Sequence, residues 1–270
     1  MSSKSIDSET ITPWFADQQK PDGAIEVRTH ILNDDKYVYL EDFFVRAIPD
    51  CYIPANTLAT RVNKTGLSAS EILKNKLPDP GSVMAGDFGE ILTLFYLAGE
   101  RDESVRKLKK WQFKQDRTKA APHSDVVILY RKYSDKASKS DFVICAEAKL
   151  KSTQSNFCPI EKSVEGYNSD KTGRLARTLV WLKEKAIDHE NPEDIAYIER
   201  FADGLLNVGF KKNYRAVAII DRNFLDQELQ KPLDLPAQSE EFEVIVIGIT
   251  DLKNLYERSF FRAISEVTCD

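Results

Sequence analysis

A mixed α/β fold is predicted by three observations in this 270-residue sequence. Residues 83–98 carry Phe88, Ile91 and Phe95 at helical spacing, which indicates a helix with a broad apolar face. The segments 124–130 and 142–149 are spaced as the two strands of a hairpin. Two later runs, at 216–220 and 244–249, are short and apolar throughout, as is typical of strands covered on both faces. We therefore expect a mixed central sheet that is flanked by helices.

The first part of the chain, residues 1–82, is interpreted as an N-terminal extension that packs on, or leads into, a core domain of residues 83–270. Apolar runs between residues 38 and 45 resemble short strand or helix fragments. Pro49 is expected to interrupt them, because proline lacks the N–H that regular structure uses. A proline- and glycine-rich stretch at 77–81 marks the start of the core.

The remaining core elements are predicted in chain order from local patterns. A basic strand is expected at 105–114, ahead of the hairpin. If the hairpin folds symmetrically about residues 136–137, Asp125 lies opposite residue 148, and a slip of one residue would turn Asp125 to the other face. After a loop, Asp170 or Thr172 is expected to cap a helix. The helices predicted in this half of the chain end near residues 187, 208 and 265.

Charge is distributed unevenly along the chain. The net charge is −5, but residues 101–185 hold 20 Lys and Arg against 11 Asp and Glu, which leaves −14 for the rest. Lysine and arginine contacts to phosphates supply most non-specific affinity for nucleic acids. The basic stretch therefore favours a polyanionic ligand, while a solvated face with incidental charge is the alternative interpretation.

Several classes of protein are disfavoured by what the sequence lacks. No apolar run approaches the roughly 20 residues that span a bilayer, and the first residues lack the apolar core of a signal peptide, so a cytoplasmic location is expected. The four cysteines are scattered without metal-like spacing and are expected to be free thiols. No phosphate-binding GxxxxGK[ST] motif is present, so ATP hydrolysis by this chain is not expected.

The run Glu147-Ala148-Lys149, which closes the second hairpin strand, is the candidate centre of a site. Glu147 and Lys149 are two residues apart on a strand, so they point to the same face. Buried charge is costly unless it is paired or bound to a metal. A carboxylate that holds a divalent cation, beside an ammonium that neutralises an oxyanion, suits phosphodiester cleavage. The same spacing at 34–36 and 251–253 is interpreted instead as a turn and a helix N-cap.

This order of elements, with an acidic residue in the helix and in each hairpin strand, resembles the PD-(D/E)xK nuclease superfamily. That resemblance implies a restriction-endonuclease-like core. The positions that match the superfamily motif are Glu90 in the helix, Asp125 at the first strand, and Glu147 and Lys149 in the second. Ser124 stands where the motif has its proline.

More narrowly, the chain resembles the HamA family, the nuclease component of Hachiman-type antiphage systems, and the related AbpA proteins. The supporting stretches are 45–54 and 86–92 together with the Ser-Asp and Glu-Ala-Lys motifs, and the resemblance covers residues 25 to 265 approximately. It implies a bacterial host and a hetero-complex with a helicase of the HamB type. It also implies DNA cleavage that is released when the partner senses foreign or damaged DNA.

The resemblance also implies roles for individual residues. Asp125 and Glu147 would ligate Mg²⁺ or Mn²⁺ with the carbonyl of Ala148, since Mg²⁺ takes oxygen ligands and keeps several waters. Lys149 would position the attacking water or neutralise developing charge, and Glu90 would hold a metal-bound water or a second ion. The candidates for contacts with DNA phosphates are Lys151, Arg174, Arg177 and Lys183.

Two other functions are kept open on the same fold, a catalytically silent adaptor that binds DNA or the helicase, and an RNase. The adaptor is disfavoured because all four motif residues are present. No helix-turn-helix or zinc finger is recognisable, so little sequence specificity is expected. His123 is interpreted as incidental, and Trp181 as a packing residue rather than a platform for base stacking.

Overall fold

One seven-stranded sheet runs through the computed structural model, which describes residues 5–18, 23–101, 104–202 and 209–268. The strands are β1 (Phe15–Asp17), β2 (Arg28–Leu32), β3 (Arg106–Lys107), β4 (Val126–Tyr130), β5 (Phe142–Lys151), β6 (Lys211–Asp221) and β7 (Phe242–Ile249). The helices are α1 (Tyr37–Tyr52), α2 (Ala55–Thr65), α3 (Ala69–Lys74), α4 (Ser82–Gly99), α5 (Pro159–Ser169), α6 (Leu175–Asp188), α7 (Pro192–Ala202), α8 (Arg222–Leu229) and α9 (Leu252–Glu266).

The sheet mixes parallel and antiparallel pairs, which confirms the predicted fold class. Its strand order is β1-β2-β7-β6-β5-β4-β3. The four central strands β2, β7, β6 and β5 are parallel, whereas β4, β3 and β1 join in antiparallel pairs. Because β1 and β2 come from the N-terminal segment, that segment contributes strands to the same sheet as the core.

Helices cover both faces of this sheet, which explains why β6 and β7 are apolar throughout. Val217 and Ile219 of β6 pack in one cluster with α1, α4 and α9. Ala218 and Ile220 of the same strand pack in another cluster with α5 and α8. Alternate side chains of one strand therefore enter different cores, and each face needs apolar residues.

The segment 105–114 is not the strand that its sequence predicts. Within this segment only Arg106–Lys107 pairs as a strand, and a 3₁₀ turn follows at Lys110–Phe113. Lys110 and Trp111 both contact the carboxylate of Glu90 on α4. A strand could not make both contacts, because neighbouring residues of a strand point in opposite directions. The helical turn is the conformation that brings both side chains to the same helix.

The N-terminal fragments form one continuous helix, α1, and the predicted interruption at Pro49 is wrong. Proline inside a helix costs about 3 kcal/mol or more. The side chains of Phe43, Phe44, Ala47 and Ile48 are fully buried at helical spacing, and this packing outweighs the lost hydrogen bond.

The elements that follow β5 differ from the predicted ones in two places. Helix α5 occupies part of the predicted loop, and a wide π turn at Asp170–Arg174 connects it to α6. The helix predicted to run to residue 208 is observed from Pro192 to Ala202, and its remaining part lies outside the described residues. Within the described ranges, no helix is both long and apolar enough to cross a membrane.

Candidate active site

The hairpin of β4 and β5 brings the two strand carboxylates together. Val126 pairs with Ala146, so the next pair along the ladder is Asp125 opposite Glu147. The assumed register, with Asp125 opposite residue 148, is therefore wrong by one residue. The turn between the two strands is held by Asp141, whose carboxylate accepts hydrogen bonds from the backbone N–H groups of Lys132 (2.8 Å) and Ser138 (3.0 Å).

The ammonium of Lys149 lies among three oxygen atoms. It contacts the Glu147 carboxylate, the Asp125 carboxylate at 3.4 Å and the carbonyl oxygen of Ala148 at 3.3 Å. The backbone N–H of Ala148 also donates to Asp125 at 3.0 Å, which fixes that carboxylate. These three oxygens belong to the residues that were expected to ligate a metal. They surround a position that already attracts one cation.

Glu90 reaches the same end of the sheet from α4, on the opposite face. Its carboxylate accepts a hydrogen bond from the indole N–H of Trp111 at 2.9 Å and lies 3.4 Å from the ammonium of Lys110. The same ammonium is 3.9 Å from Asp125, so Lys110 links the two carboxylates. Burial raises the pKa of Glu90 well above its usual value, although Lys110 opposes the shift.

Glu147 is buried beneath α5 and is held from the other side by Arg174. The Arg174 guanidinium contacts the Glu147 carboxylate and also bonds to the carbonyl oxygen of Gly166 (2.8 Å) and to Asp170 (2.9 Å). Burial and the neighbouring Asp125 charge raise the pKa of Glu147, while Lys149 and Arg174 oppose them.

Asp125 is shifted in the opposite direction. Burial acts to raise its pKa, but the cations Lys110 and Lys149 and the N–H of Ala148 outweigh burial and lower it. Asp125 is therefore the carboxyl that stays ionised most readily, and Glu90 is the one that most readily holds a proton. Neighbouring carboxyls with pKa values shifted in opposite directions are typical of sites that divide acid and base roles.

Two glycines allow this arrangement. A Cβ built at Gly166 of α5 would lie 2.2 Å from the Glu147 side chain, so the helix approaches Glu147 closely only because this residue has no side chain. Gly173 has φ +125° within the π turn, a region that other residues rarely adopt. The turn brings Arg174 back toward Gly166 and Glu147, and π turns are frequent at functional sites.

The buried charges at this end of the sheet do not balance when all groups are ionised. Four carboxylates, Glu90, Asp125, Glu147 and Asp170, face three cations along one chain of contacts. The three cations are Lys110, Lys149 and Arg174. One more positive charge, a proton or a bound cation, would neutralise the chain.

The oxygen atoms around Lys149 would supply part of the coordination shell of Mg²⁺ or Mn²⁺. Asp125, Glu147 and the Ala148 carbonyl supply oxygen atoms, which these hard cations prefer. Within the described residues, no three His, Cys, Asp or Glu side chains are grouped closely enough to hold a metal ion. Such a metal would therefore keep waters or take oxygens from a bound phosphate, as Mg²⁺ usually does.

A cleft of about 810 Å³ opens beside these groups. Glu90, Asp125 and Lys149 line it, while Glu147 lies behind them and is 4% exposed. The first turn of α4 lines one side, and Lys253 and Tyr256 of α9 line another. The sequence interpretation missed Lys253, because it belongs to a 251–253 run that was assigned to a helix start.

The predicted phosphate contacts have different surroundings. Lys151 is buried, and its ammonium bonds to the carbonyl oxygens of Ser155 and Phe157 and to Glu228 at 2.7 Å. These bonds use all three N–H donors of the ammonium, and its contact with DNA stays a prediction. Arg174 is bound to Glu147, as described above. Lys183 is half-buried and lies 3.3 Å from Glu199. Arg177 is exposed on α6.

The sequence model described as HamA matches residues 9–264, which is nearly the whole chain. No curated protein matches the chain in a sequence search.

The close approach at Gly166 predicts an unusual sign for a helix substitution. Helix propensity alone would make Gly166→Ala stabilising by up to about 1 kcal/mol. We expect instead a loss of about 1–3 kcal/mol in the free energy of unfolding, because the new methyl group overlaps the Glu147 side chain. Urea unfolding of Gly166→Ala beside Asn168→Ala, at an exposed position of the same helix, measures this. A stabilised Gly166→Ala protein would show that the helix does not contact Glu147.

The buried ion pair of Lys151 predicts a stability effect rather than a binding effect. Lys151→Ala leaves Glu228 buried with Lys231 as its remaining partner, and loss of one member of a buried pair costs about 3–5 kcal/mol. Lys162→Ala, which removes an exposed ion pair with Glu165, is the control and should leave the urea midpoint unchanged. A Lys151→Ala protein as stable as the parent chain contradicts the structural role.

Proposed function

The chain belongs to the HamA family, and we propose that it is a metal-dependent DNA nuclease that acts in antiphage defence together with a helicase partner. The observation that carries the proposal is the position of the Lys149 ammonium, among oxygens of Asp125, Glu147 and Ala148 at the wall of a cleft. Two carboxylates and a carbonyl that converge on one cation suit a metal used in phosphodiester cleavage.

Asp125, Glu147 and the Ala148 carbonyl are the residues that would hold Mg²⁺ or Mn²⁺. When bound, the metal would supply a water of lowered pKa and would stabilise negative charge on the phosphate. Asp125 suits this role best, because its pKa is lowered and it stays ionised. Glu147 is kept in place by Arg174 and by the contact with α5.

Lys149 and Glu90 act from the cleft wall in this proposal. The Lys149 ammonium can stabilise charge that develops on a phosphate oxygen in the cleft. Glu90 has a raised pKa and lies in the same wall, so it can hold a proton and position a water through a hydrogen bond. A proton on Glu90 would also neutralise the one unbalanced carboxylate of the buried chain.

DNA binding is supported by groups around the cleft. The first turn of α4, with Gly81 and Ser82, lines it, and unpaired N–H groups at a helix N-terminus attract phosphate. Lys253 adds an exposed ammonium at the same rim. Residues 101–185, which carry the excess of Lys and Arg, include the hairpin and most of α6.

A second candidate is a catalytically silent adaptor on the same fold. It is favoured by one observation: each motif carboxylate is already paired with a lysine or an arginine, as in a purely structural ion network. An adaptor would bind DNA or the helicase without cleaving either. Membership of the HamA family supports a two-protein defence system, and we propose a bacterial cytoplasmic setting for it.

Substitution of the central pair separates the two candidates. Glu147→Ala and Lys149→Ala should each reduce Mg²⁺-dependent DNA cleavage by about 100-fold or more, because each removes a group that acts on charge in the reaction. Cleavage of linear, circular and single-stranded DNA is measured with and without the helicase partner. Lys162→Ala, at an exposed position of α5, is the control and should cleave normally.

The same assay distinguishes the outcomes. Both variants should still bind the partner, since Glu147 is buried and Lys149 lies in the cleft wall. Undiminished cleavage by both Glu147→Ala and Lys149→Ala would contradict the assignment of these residues to the active site. No cleavage by the parent chain with Mg²⁺, Mn²⁺ and partner present, together with intact DNA binding, favours the adaptor. Cleavage of RNA alone would make the protein an RNase.

A further inference from the structure

A row of four rings lies next to the candidate site and has no role in the proposed chemistry. The His123 and Trp181 ring centroids are 5.2 Å apart, with 51° between the ring planes. Phe113 packs edge-on against Trp181 at 5.8 Å, and His189 lies 5.0 Å beyond Phe113. These rings come from three separate segments, so the tertiary fold assembles the row.

The His123 ring is separated from the site residue Asp125 by Ser124 alone. His123 precedes Ser124 and Asp125, and Ser124 is held on all sides: its N–H donates to Thr178 of α6 at 3.1 Å, its hydroxyl to Asp170 at 2.5 Å, and its carbonyl accepts from Lys110 at 2.9 Å. These bonds hold the backbone between His123 and Asp125 in place, and the contact with Trp181 positions the imidazole.

The backbone of His123 is strained in the conformation that places this ring. Its φ of +72° lies in the left-handed region, which is uncommon for residues other than glycine and costs energy that surrounding contacts must supply. Such outliers cluster at ligand-binding and catalytic sites. Packing alone does not require a histidine here, because its imidazole is only half-buried.

The row is accessible and its polar atoms are free for a ligand. His123, Trp181 and Phe113 are half-buried, and His189 is exposed. In the part of the chain that the structure describes, neither the His123 imidazole nor the Trp181 indole N–H forms a hydrogen bond, and neither is buried. Because the Trp181 N–H is not buried, it is open to solvent or to a ligand.

Positive charge continues from the site along the same helix. Arg174 contacts Glu147, Arg177 follows one turn later and is exposed, and Trp181 comes one further turn along α6. Lys110, Arg177 and Arg174 all lie close enough to the His123 ring to act on it electrostatically. The His123 and Trp181 rings and the exposed Arg177 offer a stacking surface and a phosphate contact side by side.

We propose that His123 and Trp181 form a stacking platform for an unpaired base of the DNA strand that enters the site, and that Arg177 contacts a phosphate next to that base. This inference rests on the proposed nuclease function for the identity of the site, and it adds the class of substrate: DNA with unpaired nucleotides at the site of cleavage.

Unpaired nucleotides are the ligand because the faces of paired bases are covered inside a duplex. Proteins that bind single strands combine a basic track with aromatic side chains on which bases stack, and this stacking tolerates any base. Here the track is Arg174 and Arg177 and the aromatic part is His123 and Trp181. A platform of this kind favours unpaired over paired DNA and does not distinguish between base sequences.

The test is DNA binding in EDTA, so that cleavage does not enter the measurement. The probes are a fluorescent oligothymidine, an abasic strand of the same length and charge, and a blunt duplex. The parent chain should bind oligothymidine more tightly than the abasic strand by between about 5-fold and 150-fold, which corresponds to one stacked base. Binding to the duplex should resemble binding to the abasic strand.

The variants separate stacking from folding. His123→Asn keeps a residue that tolerates the left-handed backbone and removes the ring, and Trp181→Leu keeps an apolar contact to Phe113. Both should lose the preference for oligothymidine, whereas Trp181→Phe should retain most of it. Arg177→Ala should weaken the binding of all three probes to the same extent. Val180→Ala, at a 51% exposed position of the same helix, is the control and should change nothing.

Two results would overturn the proposal. One is equal affinity of the parent chain for oligothymidine and the abasic strand, which would leave only phosphate contacts. The other is an unchanged preference in both His123→Asn and Trp181→Leu. Failure of the proposed nuclease function looks different, because the base-dependent preference in EDTA would persist in a chain that cleaves no DNA with Mg²⁺ or Mn²⁺.

Discussion

Buried carboxylates at one end of the sheet have to be neutralised, and the local architecture follows from this constraint. An ionised carboxylate without a partner in the interior costs several kcal/mol. Glu90 therefore requires Lys110, which requires the 3₁₀ turn against α4 instead of a strand. Glu147 requires Arg174, which requires the π turn between α5 and α6. The irregular backbone of this fold lies where charges must be matched.

The same constraint links structure to the proposed function. A chain of acids and bases with one positive charge missing is stable only if it takes up a proton or a cation. The pKa of Asp125 is lowered and that of Glu90 is raised, because two cations and a backbone N–H outweigh burial at the first, whereas burial outweighs Lys110 at the second. The cleft lies on the α4 side of these linked charges, and the ring row of His123 and Trp181 lies on the α6 side. A DNA strand that crosses this end of the sheet would contact both.

Much of the fold could be predicted from local patterns. Residues 83–98, 216–220 and 244–249 were assigned correctly, because an apolar face or an apolar run reports directly on burial. The basic segment before the hairpin and the proline in α1 misled the interpretation. In both cases contacts with distant residues decided the conformation, against the preference of the local sequence.

The sequence by itself determined which residues could carry the chemistry: Glu147 and Lys149 on one strand face, with Asp125 in the preceding strand and Glu90 in a packed helix. Only the tertiary structure decided the partners of these charges. It placed Asp125 opposite Glu147, buried Lys151 against Glu228, and brought Lys253 to the cleft. The physical reason is that periodicity reports which side of an element is apolar, whereas the partner of a charge depends on which distant segment packs beside it.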